Sequence, residues 1–191
     1  MNSLDRLLKE VRACHFCEGL PLGPKPILQV GSSKARLLIT GQAPGTLAHE
    51  TGITFNDPSG DRLREWLQID RETFYNSSLI AIAPMGFCYP GKLKNGGDLP
   101  PRKECAPRWR DKILQQLPEL QMTLLVGSYA QNYVLGKGTV TDRVKNYKDY
   151  LPNFFPLPHP SWRTLAWAKK NPYFEDEILL ELRQKVKEIL R

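Results

Sequence analysis

Long apolar runs are missing from this 191-residue chain, and no segment is long enough to cross a bilayer as a helix. The opening Met1-Asn2-Ser3-Leu4-Asp5-Arg6 lacks the apolar core of a secretory leader, so a cytoplasmic protein without membrane contact is expected. Internal repeats, low-complexity tracts and interdomain linkers are absent too. That leaves one domain over residues 1–191, large enough to bury a full core without covalent staples. Acidic side chains are in deficit: 20 Asp and Glu stand against 27 Lys and Arg, a net charge of +7 with a pI near 9.3. Such a surplus favours a polyanionic partner, nucleic acid first. Lys92, Lys94, Arg102, Lys103, Arg108 and Arg110 cluster in one stretch, and Arg163, Lys169 and Lys170 in another. Nothing calls for an oligomer, so a monomer is expected.

Cysteine is scarce but patterned. Cys14 and Cys17 form a C-x2-C pair, 70 residues separate Cys17 from Cys88, and 16 separate Cys88 from Cys105. In a reducing compartment four such thiols are better explained as metal ligands than as two disulfides. Zinc and a [4Fe-4S] cluster both take four thiolates, so either fits the set. Either would tie the N-terminal helix to a distant loop.

Apolar spacing predicts a helix over residues 4–14, with Leu4, Leu7, Leu8 and Val11 on one face. Buried strands are expected over 35–40, 79–83, 122–126 and 154–157. Helices are expected over about 60–67, 106–117, 129–135 and 174–190, and a long Gly/Pro/Lys loop over 88–102. Strands alternating with helices imply an α/β fold around a mostly parallel sheet, whose ligands bind at the carboxyl ends of the strands. Each expected strand ends in an unusual loop: Gly41-Gln42-Ala43-Pro44-Gly45, Pro84-Met85-Gly86-Phe87-Cys88, Gly127-Ser128 and Pro158-His159-Pro160-Ser161. The four loops are therefore expected to build one site.

The glycines of residues 41–45 let backbone amides approach a ligand closely. Phe55, in a Gly/Pro/Asn-rich loop, suits a stacking platform for a planar ring. His159, held between two prolines, suits a hydrogen-bond donor to a developing oxyanion. His49, Glu50 and Asp57 are the acid/base side chains near the first turn. Trp162 and Arg163 are expected in an exposed loop, where an aromatic beside basic charge suits a wedge into a base stack.

Taken together, Cys14/Cys17, Gly41-Gln42-Ala43-Pro44-Gly45, Gly52-Ile53-Thr54-Phe55, Cys88, Cys105 and His159-Pro160-Ser161 resemble the uracil-DNA glycosylase superfamily, above all its iron–sulfur branch. The resemblance covers nearly the whole chain in order and approximate spacing. It implies a three-layer α/β/α sandwich with a central four-stranded parallel sheet. It also implies DNA carrying a damaged base as the partner, and hydrolysis of the N-glycosidic bond after base flipping. Cys14, Cys17, Cys88 and Cys105 would hold a structural [4Fe-4S] cluster. Gly41, Gln42, Ala43, Pro44, Gly45, Phe55 and Pro84 would face the base, and His159 would stabilise charge on its carbonyl oxygen. Lys92, Lys94, Arg102, Ser161, Trp162 and Arg163 would meet the DNA.

Three positions depart from the pattern. Gln42 stands where the cluster-containing branch has an acidic residue, and Ala43 stands where the archetypal enzymes have a catalytic aspartate. Asp57, Glu50 and His49 are then the candidates to position water, alongside Gln42. Pro84 replaces a base-reading asparagine and has neither a side-chain hydrogen-bonding group nor an amide donor. Uracil, hypoxanthine and xanthine therefore all stand as candidate bases. No lysine occupies a motif position, so a monofunctional glycosylase without lyase activity is implied. The competing reading is a member of the same fold that binds a damaged base without hydrolysing it.

Overall fold

The computed structural model describes residues 3–191. Four strands, β1 (Leu37–Thr40), β2 (Ile80–Ile82), β3 (Met122–Val126) and β4 (Phe154–Leu157), form one all-parallel sheet in the order β2-β1-β3-β4. The helices in chain order are α1 (Ser3–Arg12), α2 (Thr46–Thr51), α3 (Pro58–Leu67), α4 (Arg71–Tyr75), α5 (Asp111–Leu114), α6 (Ser128–Leu135), α7 (Val140–Lys145), α8 (Arg163–Lys170) and α9 (Leu179–Leu190). Short π-helical turns, Ala106–Arg110 and Phe174–Ile178, lead into α5 and α9. The two helices expected over 106–117 and 174–190 thus each begin with a wider turn. Among the described residues no helix is long and apolar enough to cross a membrane.

The layers follow from side-chain alternation along the strands. Leu37 and Ile39 of β1, Met122, Leu124 and Val126 of β3, and Phe155 and Leu157 of β4 point to one face. There they meet Leu63 and Leu67 of α3, Val144 of α7, and Leu182, Val186 and Ile189 of α9. Leu38 and Ala81 point the other way, onto Leu4, Leu8 and Val11 of α1 and Ile113 of α5. Leu125 packs with Ala130 of α6 on that second side. Helices on both faces of a four-stranded parallel sheet make the α/β/α sandwich.

Strand order turns back at the β1–β3 junction, since β2 lies on one side of β1 and β4 beyond β3. At such a switch point the connections leave in opposite directions and open a crevice at the carboxyl ends. Residues 41–45 follow β1 there, Gly127 follows β3, and His159 follows β4.

Candidate active site

That crevice holds a cavity of about 90 Å³ lined by Gly41, Gln42, Ala43, Pro44, Thr54, Phe55, Asp57, Ser59, Ile82, Pro84, Asp98 and His159. The backbone of residues 41–45 is fixed by the strand beside it. Met85 N–H donates to Gly41 O at 2.9 Å and Gly86 N–H to Gln42 O at 2.9 Å. Gln42 Nε2 donates to the carbonyl of Leu99 at 3.0 Å.

Phe55 forms one wall. Its backbone is left-handed, φ 51°, a region a bulky residue enters only when its surroundings hold it there. Arg64 does part of that holding: its Nη1 donates to Phe55 O at 3.4 Å, and its guanidinium lies 5.1 Å from the Phe74 ring. The Phe55 ring meets Phe74 edge-on at 6.3 Å. Its Cζ lies 3.1 Å from where a Cβ on Gly41 would be, so glycine is what lets ring and strand end close together. Asp57 caps α3, accepting Gly60 N–H at 2.8 Å through Oδ1, with Pro58 in the first turn.

His159 stands opposite. Gly127 beside it sits at φ 84°, a conformation that favours glycine. The His159 carbonyl accepts from Ser161 N–H at 2.8 Å and from the Thr164 hydroxyl, which joins the histidine loop to α8. Burial pulls the imidazole pKa below its ordinary value, partly offset by the Asp57 carboxylate. A ring in that state is neutral near pH 7 and offers an N–H without carrying full charge.

The structure therefore brings residues 41–45, Phe55, Asp57, Pro84 and His159 together. His49 and Glu50 stay outside the cavity. Both lie on α2, where their carbonyls accept from the Lys25 ammonium. The His49 ring faces Tyr89 at 6.1 Å, and the Glu50 side chain is exposed.

One lining carboxylate, Asp98, escapes the sequence reading. It lies in the long loop whose lysines drew attention, and Gly96-Gly97-Asp98-Leu99-Pro100-Pro101 gives no sign of a site except an acid between turn formers.

The cavity mouth is basic and carries an exposed aromatic. Lys92 and Lys94 are exposed. Trp162 is 70% exposed, and the Arg163 guanidinium lies 5.1 Å from its ring. Arg163 is not in a loop, as expected, but begins α8. Its Nη1 lies 3.4 Å from where a Gly97 Cβ would be, so the lysine loop and the start of α8 are neighbours. Two other basic residues are used differently. Arg102 donates through Nη2 to the carbonyls of Glu18 and Gly19, at 3.1 and 3.3 Å, which commits it to the N-terminal cysteine loop. Arg110 is buried, bonded to Thr40 Oγ1 and to Asp111, each at 3.2 Å.

Cys14, Cys17, Cys88 and Cys105 line one recess, together with Phe87, Arg102, Arg108 and Trp109. None is in a disulfide. Trp109 Nε1–H donates to Cys14 Sγ at 3.1 Å, and Phe87 N–H to Cys105 Sγ at 3.3 Å. Burial, then repulsion from the other three cysteines, pushes the Cys105 thiol up to about 12 despite the Phe87 amide. Burial also raises Cys17 and Cys88. Among the described residues no three such ligands converge tightly enough for a single metal ion. The donor set, four sulfurs around one recess with N–H groups aimed at two of them, fits a thiolate-bound group.

The family model described as "Uracil DNA glycosylase superfamily" matches residues 28–183, most of the chain. This protein belongs to that superfamily. Among its relatives is the Type-4 uracil-DNA glycosylase of Saccharolobus solfataricus, 28% identical over 207 aligned positions that cover 100% of this chain and 88% of that one. The Type-4 uracil-DNA glycosylase of Sulfurisphaera tokodaii is 25% identical over 206 positions, covering 99% and 86%. That of Archaeoglobus fulgidus is 25% identical over 154 positions, covering 76% and 72%. The superfamily match spans all four strands and their terminal loops.

Proposed function

We propose that this member of the superfamily is a monofunctional DNA glycosylase that hydrolyses the N-glycosidic bond of a deaminated base, uracil or a related lesion. One observation carries the reading. A small cavity at the strand ends places a rigid aromatic, Phe55, and a half-buried imidazole, His159, around a space too small for stacked bases. A nucleobase enters such a site only after leaving the helix, and stacking with edge hydrogen bonds offsets the unstacking cost of a few kcal/mol. Phe55 supplies the stacking face. As the bond to C1′ breaks, the electron pair moves onto the base, and His159 donates its N–H toward the carbonyl oxygen where charge collects. Gly41, Gln42, Ala43, Pro44, Gly45 and Pro84 bound the base. Pro84 offers no donor, so it sets shape and leaves hydrogen-bond selection to neighbouring groups.

Lys92, Lys94 and Arg163 meet phosphates at the mouth. Trp162, with Ser161 beside it, enters the gap left by the flipped base. Cys14, Cys17, Cys88 and Cys105, which line one recess, would hold a thiolate-bound group, a [4Fe-4S] cluster or, as the alternative, zinc. Such a group would supply a structural cross-link, with Cys14 and Cys17 joining the segment after α1 to Cys88 and Cys105 at the two ends of residues 88–105. Unpaired thiols suit a reducing compartment such as the cytoplasm, and the chain acts as a single-domain monomer.

Base release from single- and double-stranded oligonucleotides carrying uracil, hypoxanthine or xanthine tests the reading. Lesion-specific abasic product is expected, and loss of the His159 donor in His159→Ala should slow it about 10²–10³-fold. The absence of a carboxylate in residues 41–45 favours a second reading, a damaged-base binder without hydrolysis. Tight lesion binding with no product from metal-loaded protein would select it.

A further inference from the structure

Residues 41–45 contain no carboxylate, yet the cavity does. Its acidic lining residues are Asp57 and Asp98. Asp57 already accepts Gly60 N–H and anchors the start of α3. No hydrogen bond engages the Asp98 carboxylate among the described residues. Its Oδ2 lies 3.5 Å from where a Cβ on Gly45 would be, and Asp57 Oδ2 lies 3.9 Å from the same point. The two carboxylates thus both lie beside Gly45, at the end of the first site loop.

Asp98 is delivered by a built element. Lys92 and Asp98 form an antiparallel bridge. Leu93 N–H donates to Gly97 O at 2.9 Å, and Leu99 N–H to Gly91 O at 2.8 Å. Gly96 and Gly97, at φ 83° and 87°, make a turn that other residues adopt only with strain. The Gln42 amide then fastens this hairpin to the site through Leu99 O at 3.0 Å. An acidic residue at position 42 would accept hydrogen bonds and could not donate to that carbonyl. Gln42 and Asp98 therefore make a matched exchange: the first position gives up its charge and holds in place the loop that brings one.

We propose that Asp98 is the catalytic base, supplying the carboxylate that residues 41–45 lack. This rests on the glycosylase reading above. Water attacks C1′ of the flipped nucleoside, and Asp98 accepts the proton that the water loses. The C1′–N bond breaks with its electron pair going to the base, which leaves as an anion steadied by His159 and is protonated by solvent. Asp57 helps hold the water and remains the α3 cap. Burial raises the Asp98 pKa, against a lowering by Lys92 and with a further rise from Asp57, which makes it a stronger base than an exposed aspartate.

Single-turnover base release, on the lesion that the wild-type protein cleaves, tests this with Asp98→Asn, Asp98→Ala and Asp57→Asn. Asp98→Asn should fall about 100-fold or more at neutral pH, the loss typical of a missing general base, while binding the same DNA as wild type does. Formate added to Asp98→Ala should restore part of the rate, an effect that repair of loop structure would not give. A fall under about tenfold in Asp98→Asn would overturn the assignment, as would a fall matched by lost DNA binding. Asp57→Asn losing as much rate at unchanged stability, with Asp98→Asn unaffected, would move the base to Asp57. Wild-type protein that releases no base would instead overturn the glycosylase reading, and this assignment with it.

Discussion

Gly60→Ala should destabilise this protein although helix propensity alone argues the opposite. Gly60 is buried in the first turn of α3, and alanine is favoured over glycine in a helix by about 1 kcal/mol. A Cβ at this position would lie 1.7 Å from the carbonyl oxygen of Phe55, 2.6 Å from its carbonyl carbon and 2.9 Å from its Cβ. None of these is the free end of a flexible side chain. Arg64 holds the Phe55 carbonyl from the far side, and the Gly60 N–H is itself bound to Asp57 Oδ1 at 2.8 Å, so neither segment can slide. Forcing a methyl into a packed site costs about 1–3 kcal/mol, and an obstructing backbone puts the cost at or above the upper end. Less the propensity gain, the net loss is about 2 kcal/mol. For a chain of this length that lowers Tm by about 4–8 °C. Thermal melts and urea titrations of matched wild-type and variant protein read it directly. Lesion binding should fall as well, because Phe55 is the group displaced. A variant with unchanged or raised Tm would refute the close-approach argument.

Cys105→Ser should lose bound iron and the visible absorbance of a cluster, measured by metal analysis and spectroscopy; zinc at one per chain in the wild type would instead identify the other thiolate-bound group. Trp162→Ala, at an exposed position, should leave stability within about 0.5 kcal/mol but weaken binding to duplex DNA more than to single strands. Arg163→Ala should weaken all sequences alike and reduce the slope of log affinity against log salt by about 1. Burial depresses the His159 pKa, so below about pH 6.5 the unfolded chain takes up a proton that the fold resists. Its contribution is complete above that value and is lost as pH falls, so His159→Gln should show a shallower acid-side decline in Tm. Asp98 runs the other way. Its raised pKa means that ionisation is resisted in the fold, so stability drains as pH rises through the window above the ordinary aspartate value. Asp98→Asn should therefore melt no lower than wild type at neutral pH, even as base release falls.

What could be read from the sequence, and what could not, divides by the range of the forces involved. β3 and β4 were legible end to end, because a strand buried on both faces reads as a mostly apolar run. The C-terminal apolar stripe, Ile178, Leu179, Leu182, Val186 and Ile189, is buried as its spacing requires. The loops after β1, β2 and β4 share one cavity through Gly41–Pro44, Pro84 and His159, because a parallel sheet with crossover connections must place those ends on one edge, whereas the expected Gly127-Ser128 loop does not line it. Helices α2, α4, α7 and α8 were missed. They are five to eight residues long, too short for periodicity to register, and they rest on caps such as Asp70 and Thr139 and on packing against the sheet. Arg102 and Arg110 read as surface charge, and only packing shows one bonded to the cysteine loop and the other to Thr40. Asp98 lies 41 positions from Asp57 in the chain, within a loop whose composition signals only turns. The sequence alone determined the sheet, its edge and most of the loops that reach it. Tertiary structure decided which carboxylate arrives there, because a hairpin held by one glutamine hydrogen bond has no local signature.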